Sequence, residues 1–421
     1  MNRKQRRKQQ GQQKKALKSD PSIKGLLQKA RASLEGGDLA NAEIEFRAVT
    51  ERDNLNAEAF HMLALIAYQQ GRIEDAGEMI LEAITRNDDD PALHANCGAI
   101  MNLLGRPMEA EAASRHALEM KPDYAEAHNN LAVALEVQGR LDEALESGLK
   151  AIELNPDHLE AHINLGNLKL HRGEVSEAIE AYQAAIRIAP DSAMARANLG
   201  TALRQSGDLE AGEESCRQAI GLDPQYAEAH NSLGNVFKAK EDWEAAKGAF
   251  REALRRRKGY LDAHLNLARV MFKAGDVEGG EVEYRKILDA NDGLPEARAG
   301  LGVLLLAVGR LTDAVENFKL AVEAKPGLGI AQYNLATAAG AEMSEADVTD
   351  LREVLDDKRI LESDRTLIHF ALGEIGDRKG DVEAAFADFE AGNRLRKNQL
   401  ARSGRQFNAD DFDQRVDGIV S

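Results

Sequence analysis

The chain repeats itself with a period of 34 residues, without an insertion, through most of its length. Units begin at residues 23, 57, 91, 125, 159, 193, 227, 261, 295 and 329. A period of this length indicates one supersecondary unit copied many times, in which each copy buries its apolar face against its neighbours instead of in one central core. We number the positions within each unit from 1 to 34.

Four positions in the unit define its shape. In the first nine units positions 8 and 20 carry only Ala or Gly, which predicts two helices that cross with their backbones almost touching. Position 15 is Gly in eight of the first nine units, with Glu241 as the exception, and such a Gly ends a helix in a left-handed conformation. Position 32 is often Pro, which cannot continue a second helix. Each unit is therefore predicted to be an antiparallel hairpin of helices A and B.

This combination of period, small residues, Gly and Pro resembles the tetratricopeptide repeat over about nine full units. The resemblance implies an all-α fold, a right-handed superhelical solenoid of antiparallel helix hairpins whose A helices line a concave groove. One departure is position 4, often aromatic in this family, which is His in five units: His94, His128, His162, His230 and His264. We interpret them as packing residues with a polar tip. Successive members lie a whole repeat apart and cannot converge to ~2 Å from one ion, so no metal site is predicted.

The regular pattern ends in the tenth unit. There "SEADVTDLREVLDD" predicts a helix with Ser344 as its N-cap. A last unit then begins at Thr366, where His369, Leu372, Gly373, Gly380, Ala385 and Phe389 restore positions 4, 7, 8, 15, 20 and 24. The predicted segments are a disordered basic tail (1–22), a regular array (23–340), an irregular helical hairpin (341–365), a final repeat-like unit (366–399) and a polar tail (400–421) with room for a short helix from Asp410 to Val420.

Composition limits the classes of function. The net charge of −17 argues against general affinity for nucleic acid, although "MNRKQRRKQQGQQKKALKSD" holds eight Lys or Arg before its first acid. This tail is either a solvated leader without a partner or a contact for an anionic membrane or RNA. Cys97 and Cys216 are predicted to be small buried residues in a reducing compartment. The chain lacks a long apolar run and a signal peptide, so a cytoplasmic location is expected.

The C-terminal stretch carries a second, narrower resemblance. "DRTLIHFALGEIGDRKGDVEAAFADFEAGNRLRK" looks like the last repeat of bacterial proteins in which a tetratricopeptide array precedes a sulfotransferase domain. The array is also similar to the repeat arm of O-linked N-acetylglucosamine transferases. Arg402-Ser403-Gly404 resembles a fragment of the sulfotransferase phosphate loop, but no strand precedes it and no Thr-rich helix start follows it. The resemblance therefore implies the non-catalytic arm of such a protein, or a relative without the enzyme.

One face of helix A is free to carry function, because positions 4, 7, 8 and 11 face the partner helix and the opposite face does not. Asn is a poor helix former, so its recurrence on this free face needs a reason. The candidate groove residues are Asn96, Asn130, Asn164, Asn198, Asn266 and Asn334 at position 6, Asn231 at position 5, Asn167 and Asn235 at position 9, and the cations Arg204, Lys238, Arg269 and Lys273. A ladder of amides can pair with the backbone of an extended peptide, or it can bridge adjacent A helices; both interpretations stay open.

We therefore expect a non-catalytic scaffold, without a cofactor, that binds a protein or an extended peptide, with acidic side chains favoured near units six to eight. No Ser/His/Asp set, paired carboxylates or Cys/His cluster points to an enzyme. A dedicated clamp for a terminal carboxylate is not matched, because Glu296 and Gly300 stand where it needs cations. Two alternatives remain: the targeting arm of a sulfotransferase or O-linked glycosyltransferase, acting in trans or on a missing C-terminal domain, and a scaffold that self-associates through its end repeats.

Overall fold

A computed structural model of the chain describes residues 21–339, 342–357 and 360–402. Within these ranges the chain forms 22 α-helices and no strand, which confirms the all-α repeat array. Contacts divide it into two compact units, one up to Asn164 and one from Leu165 onward. The basic tail before Pro21, the expected helix from Asp410 to Val420 and the Ser403-Gly404 dipeptide lie outside the described residues.

The first unit contains four complete hairpins. Its helices are α1 (Pro21–Glu35), α2 (Leu39–Arg52), α3 (Ala57–Gln69), α4 (Ile73–Arg86), α5 (Pro91–Leu103), α6 (Pro107–Met120), α7 (Ala125–Val137) and α8 (Leu141–Leu154). The boundary between the two units falls inside α9 (Leu159–His171).

The second unit continues the alternation of A and B helices and ends with three helices of different lengths. Its helices are α10 (Val175–Ile188), α11 (Ala193–Ser206), α12 (Leu209–Leu222), α13 (Ala227–Ala239), α14 (Trp243–Arg256), α15 (Leu261–Lys273), α16 (Val277–Ala290), α17 (Pro295–Ala307), α18 (Leu311–Ala324), α19 (Gly329–Ala339), α20 (Glu345–Asp356), α21 (Glu362–Lys379) and α22 (Val382–Arg402).

Position 15 turns each hairpin through a left-handed residue. The Gly at this position has a φ between 67° and 96° in all eight units that carry it. Glu241 adopts the same conformation with a φ of 59°, although the left-handed region is unfavourable for a residue with a Cβ. The predicted turn is confirmed, and the exceptional unit keeps the geometry at the cost of backbone strain.

Positions 8 and 20 bring the two helices of each hairpin into close contact. A Cβ added at Gly212 would lie 3.1 Å from the carbonyl oxygen of Gly200, so these two backbones leave no room for larger residues. Position 8 also receives the side chain at position 24: a Cβ at Gly302 would lie 2.6 Å from the ring of Phe318. The small residues are thus required by helix crossing, as the sequence predicts.

The position-4 residues fasten the start of helix A to the loop before it. In each of the five histidines Nε2 lies within hydrogen-bond distance, 2.9 to 3.2 Å, of the carbonyl oxygen six residues earlier, as between His162 and Pro156. Arg196, Arg298 and Gln332 donate to the equivalent carbonyl in their own units. The histidines therefore pack with a polar tip, and the tip has a specific structural partner.

The C-terminal end departs from the regular array. Ser344 caps α20 in a reciprocal capping box with Asp347, as predicted. Within 342–357 and 360–365, the described residues of the segment 341–365, the chain forms α20 and the first residues of α21, which packs against α19. A Cβ at Gly373 would lie 2.7 Å from the ring of Phe389, the same contact as in the regular units, so the last repeat is in the predicted register. Helix α22 continues to Arg402.

Candidate binding surface on the A helices

In the compact unit that ends at Asn164, the side-chain amides at position 6 form hydrogen bonds to the preceding repeat. Nδ2 of Asn130 donates to the carbonyl oxygen of Ala95 at 2.9 Å, and Nδ2 of Asn164 donates to Oδ1 of Asn129 at 2.9 Å. Nδ2 of Asn96 lies 2.7 Å from Nε2 of His61, a ring whose pKa is lowered by burial. The three amides therefore link adjacent A helices, which supports the bridging interpretation of this part of the ladder.

In the compact unit from Leu165 onward, similar hydrogen bonds join adjacent A helices, with more variation. Nδ2 of Asn198 lies 3.3 Å from Oδ1 of Asn167, which also accepts from the hydroxyl of Tyr182 at 2.7 Å. Nδ2 of Asn266 lies 3.3 Å from Oδ1 of Asn231. Asn334 is the exception, because its Nδ2 donates to the carbonyl oxygen of Ile330 in its own helix at 2.7 Å. Most of the row thus joins repeats, and the last member does not.

Lys238 is the centre of a polar cluster on α13 and α15. Its Nζ donates to Oδ1 of Asn235 at 2.6 Å and to Oδ1 of Asn266 at 3.0 Å. Burial lowers the pKa of Lys238 to about 8, and the nearby charges of Arg269 and Arg204 contribute to the same shift. Two other predicted cations, Arg269 and Arg204, therefore lie close enough to Lys238 to disfavour its charged form.

The cluster is bounded by an aromatic residue that does not belong to the predicted groove set. Tyr284 is buried, and burial raises its pKa, while a hydrogen bond with Arg269 acts in the opposite direction. A Cβ at Gly300 would lie 2.5 Å from this ring. This contact explains why the Asn row is interrupted at Gly300, the position 6 of its unit. The sequence alone does not reveal this relationship, because Tyr182 also occupies position 24 and is followed by Asn198 at the next position 6.

Most exposed cations of the array are paired with acids, and the cluster differs from them. Lys240, two residues from Lys238, donates to Glu213 at 2.6 Å, and Arg310 bonds to Glu281 and Asp313. Within the described ranges, Lys238, Arg269 and Lys273 form no ion pair. Lys273 is exposed at the end of α15, one turn beyond Arg269. The charges of Lys238, Arg269 and Lys273 are therefore not paired with acids in the part of the chain that the structure describes.

Cys97 and Cys216 are free and buried, and burial raises the pKa of their thiols to about 11 and about 12. These values leave the thiols protonated and unreactive at neutral pH. Among the helices that the structure describes, none is long and apolar enough to cross a membrane.

Comparison with known proteins places the repeats in one family. Two sequence models, both described as tetratricopeptide repeat, match this chain. The first matches residues 27–91, 104–158, 149–193 and 163–227, and the second matches 237–302. Together they cover more than half of the chain. A TPR repeat-containing protein of Pseudomonas aeruginosa is 38% identical over 88 residues, which are 21% of this chain and only 15% of that relative.

Solved structures agree on the fold. A tetratricopeptide repeat protein from Parabacteroides merdae superposes with a TM-score of 0.51 at 18% identity, covering 60% of this chain and all of that one. The human IFIT1 dimer, solved with m7Gppp-AAAA, superposes with a TM-score of 0.55 at 16% identity, covering 87% of this chain and 88% of that one. At these identities the likeness concerns the fold alone. The chain belongs to the tetratricopeptide repeat family.

Proposed function

We propose that this protein is a non-catalytic scaffold that binds an extended acidic peptide, and that Lys238 with its neighbours on α11, α13 and α15 forms the principal contact. A tetratricopeptide repeat array fits a protein-interaction role in general, and the family is typically non-catalytic. The observation that carries the finer proposal is the Lys238 cluster: an ammonium group that Asn235 and Asn266 hold and that the charges of two arginines disfavour, in a chain whose net charge is −17.

The electrostatics of the cluster favour an anionic partner. A cation that loses solvent and lies among like charges is unfavourable unless an anion compensates it, and burial together with these like charges lowers the pKa of Lys238. A carboxylate placed against Lys238 and Arg269 supplies the missing charge and forms charge-assisted hydrogen bonds. Asn235 and Asn266 hold the Lys238 ammonium in place through their side-chain oxygens, so the site is preorganised for this contact.

The amide row supports an extended ligand in this proposal. A side-chain amide has two N–H donors and an oxygen acceptor, and one bond to a neighbouring repeat leaves capacity for a second partner. Asn198 and Asn266 are half-buried on the A helices, so each can bridge repeats and still reach a peptide backbone. The bridging and binding interpretations are compatible on this surface.

The test uses the full chain and a defined probe. We would measure fluorescence anisotropy of a labelled ten-residue peptide of alternating Glu and Gly, against the same peptide with Gln in place of Glu. We expect measurable binding of the Glu peptide only, with affinity falling as salt rises because exposed charges are screened. Lys238→Gln should weaken peptide binding by about 10- to 100-fold, since a hydrogen bond to a charged group contributes about 1.5–3 kcal/mol.

Lys240→Gln is the matched control, because it removes the same charge from the same helix end, where the ammonium is already paired with Glu213. It should leave peptide affinity almost unchanged. Equal losses for Lys238→Gln and Lys240→Gln would show that only the overall charge matters, and the proposed site would be wrong. Binding of a single-stranded oligonucleotide with higher affinity than the peptide would also contradict the proposal.

A further inference from the structure

A cluster of three metal-ligating side chains lies in the compact unit that ends at Asn164. Asp88 follows α4 in the loop, His94 lies in the first turn of α5 and His116 lies on α6. Oδ1 of Asp88 is 3.3 Å from Nε2 of His94, and the two imidazole ring centroids are 4.4 Å apart. One ligand atom of each residue lies within 4.8 Å of the others.

We propose that Asp88, His94 and His116 bind a divalent transition-metal ion, for which zinc is the appropriate probe. Zinc takes imidazole nitrogen and carboxylate oxygen at ~2.0–2.2 Å, and a tetrahedron of such bonds places neighbouring donors ~3.3–3.5 Å apart. The Asp88–His94 pair already has this separation. The side chain of Asp88 is 75% exposed, so a rotamer change can complete the approach without moving a helix.

The site arises from two residue changes, one in a hairpin and one in the loop before it. The following unit has the same position-4 histidine, His128, but Pro122 replaces the aspartate and Lys150 replaces the second histidine. Position 4 and position 26 are in contact elsewhere too, since Arg196 donates to Gln218 at 2.6 Å. The sequence predicted no metal site because the position-4 histidines of successive repeats lie too far apart. The three proposed ligands come instead from one hairpin and the loop before it, which the repeat geometry brings together.

Metal binding would change what His94 does. Its Nε2 lies 3.1 Å from the carbonyl oxygen of Asp88, the bond that position 4 makes in the other units. A metal ion bound at Nε2 would replace the proton that Nε2 shares with this carbonyl oxygen. It would also connect the loop after α4 to both helices of the next hairpin. Glu119, whose Oε2 lies 3.2 Å from Nδ1 of His116, provides a further carboxylate beside the site. Three protein ligands leave a fourth position of the tetrahedron for water or for another donor.

The experiment is a calorimetric titration of zinc chloride into the full chain, prepared without a polyhistidine tag, with wild type and three variants. We expect one tight site in wild type. His94→Gln and His116→Gln should weaken it by more than about 100-fold, because changes in outer-shell partners alone cost 10–100-fold. Both replacements occur in the chain itself: Gln332 makes the position-4 bond to Pro326, and Gln218 occupies position 26. The variants should therefore fold.

His128→Gln is the matched control, since it removes an equivalent histidine from the neighbouring hairpin, and it should bind zinc as wild type does. A thermal melt provides an independent readout. Zinc should raise the Tm of wild type and His128→Gln, by mass action on the folded state, and leave His94→Gln unchanged. The proposal is overturned if wild type shows no zinc site, if His116→Gln binds as wild type does, or if His128→Gln loses as much affinity as His94→Gln.

Discussion

The side-chain amide of Asn130 donates to the backbone carbonyl of Ala95, in the A helix of the preceding repeat, at 2.9 Å. The backbone carbonyl of Asn130 itself accepts from Nδ2 of Asn102, also at 2.9 Å. Two amides therefore bond in opposite directions across the same pair of A helices. This reciprocal link gives the recurrent Asn at position 6 a structural reason that helix propensity alone does not supply.

Asn130→Ala tests this link. Loss of the hydrogen bond should lower the free energy of unfolding by about 0.5–1.5 kcal/mol, and the better helix propensity of Ala offsets only part of this change. Asn334→Ala is the control, because the Nδ2 of Asn334 bonds within its own helix and its loss costs less. We expect Asn130→Ala to be about 1 kcal/mol less stable than Asn334→Ala in urea denaturation. Equal stability of the two variants would mean that the bridge contributes nothing.

Glu241→Gly should stabilise the protein. Glu241 has a φ of 59°, where a Cβ costs roughly 1–2 kcal/mol, while the other hairpins place Gly at this point. Part of the relief is lost because Gly makes the unfolded chain more flexible, so we expect a net gain of about 0.5–1 kcal/mol. The reverse change, Gly275→Ala, should destabilise by a similar amount. Thermal melts of both variants give the comparison, and a lower Tm for Glu241→Gly would show that the side chain makes a compensating contact.

Gly302→Ala should destabilise the second unit by overpacking. The added Cβ would lie 2.6 Å from the Phe318 ring, and insertions into a filled core typically cost about 1–3 kcal/mol. The chain contains a natural alternative, because position 8 and position 24 are Ala64 and Ile80 in another hairpin. Adding Phe318→Ile to Gly302→Ala should therefore recover part of the loss. Urea denaturation of the single and double variants checks this, and additive losses would exclude a direct contact.

The lowered pKa of Lys238 predicts a specific pH dependence. The pKa is about 8 in the folded protein against 10.5 for the ordinary group, so the unfolded chain binds more protons between these values. Stability contributed by Lys238 should therefore rise as pH increases from about 8 to about 10.5. Affinity for an acidic peptide should fall over the same range, because the neutral amine no longer attracts a carboxylate.

The measurement compares the stability of wild type and Lys238→Met by urea denaturation between about pH 7 and pH 10. Over much of this range Lys238 binds more protons in the unfolded chain than in the folded protein. The stability difference should shift in favour of wild type as the pH rises. Lys240→Met is the control, since pairing with Glu213 raises the pKa of Lys240 and its charge persists across this range. A constant difference between wild type and Lys238→Met would show that Lys238 has an ordinary pKa.

Period and residue size were enough to predict the hairpins. A small residue at positions 8 and 20 is required wherever two backbones cross closely, and a left-handed turn favours Gly, so each constraint is local and repeats with the unit. The prediction held at Glu241, where the conformation is kept although the residue type is unfavourable. Near Ser344 the sequence predicted the helix and its N-cap. It did not predict that α19 packs against α21, because this contact depends on which apolar helix faces meet.

Tertiary structure decided which side chains meet between elements. The sequence placed Asn130 and Lys238 on the free face of helix A, but only the structure shows that Asn130 bonds to Ala95 and that Lys238 lies among other cations. The same holds for His94 and His116, which are separated by most of a repeat in the chain and are in ring contact in the fold. Helical periodicity determines the direction of a side chain from its own helix axis. The distance between side chains on different helices depends on how the hairpins stack, and that is set by packing.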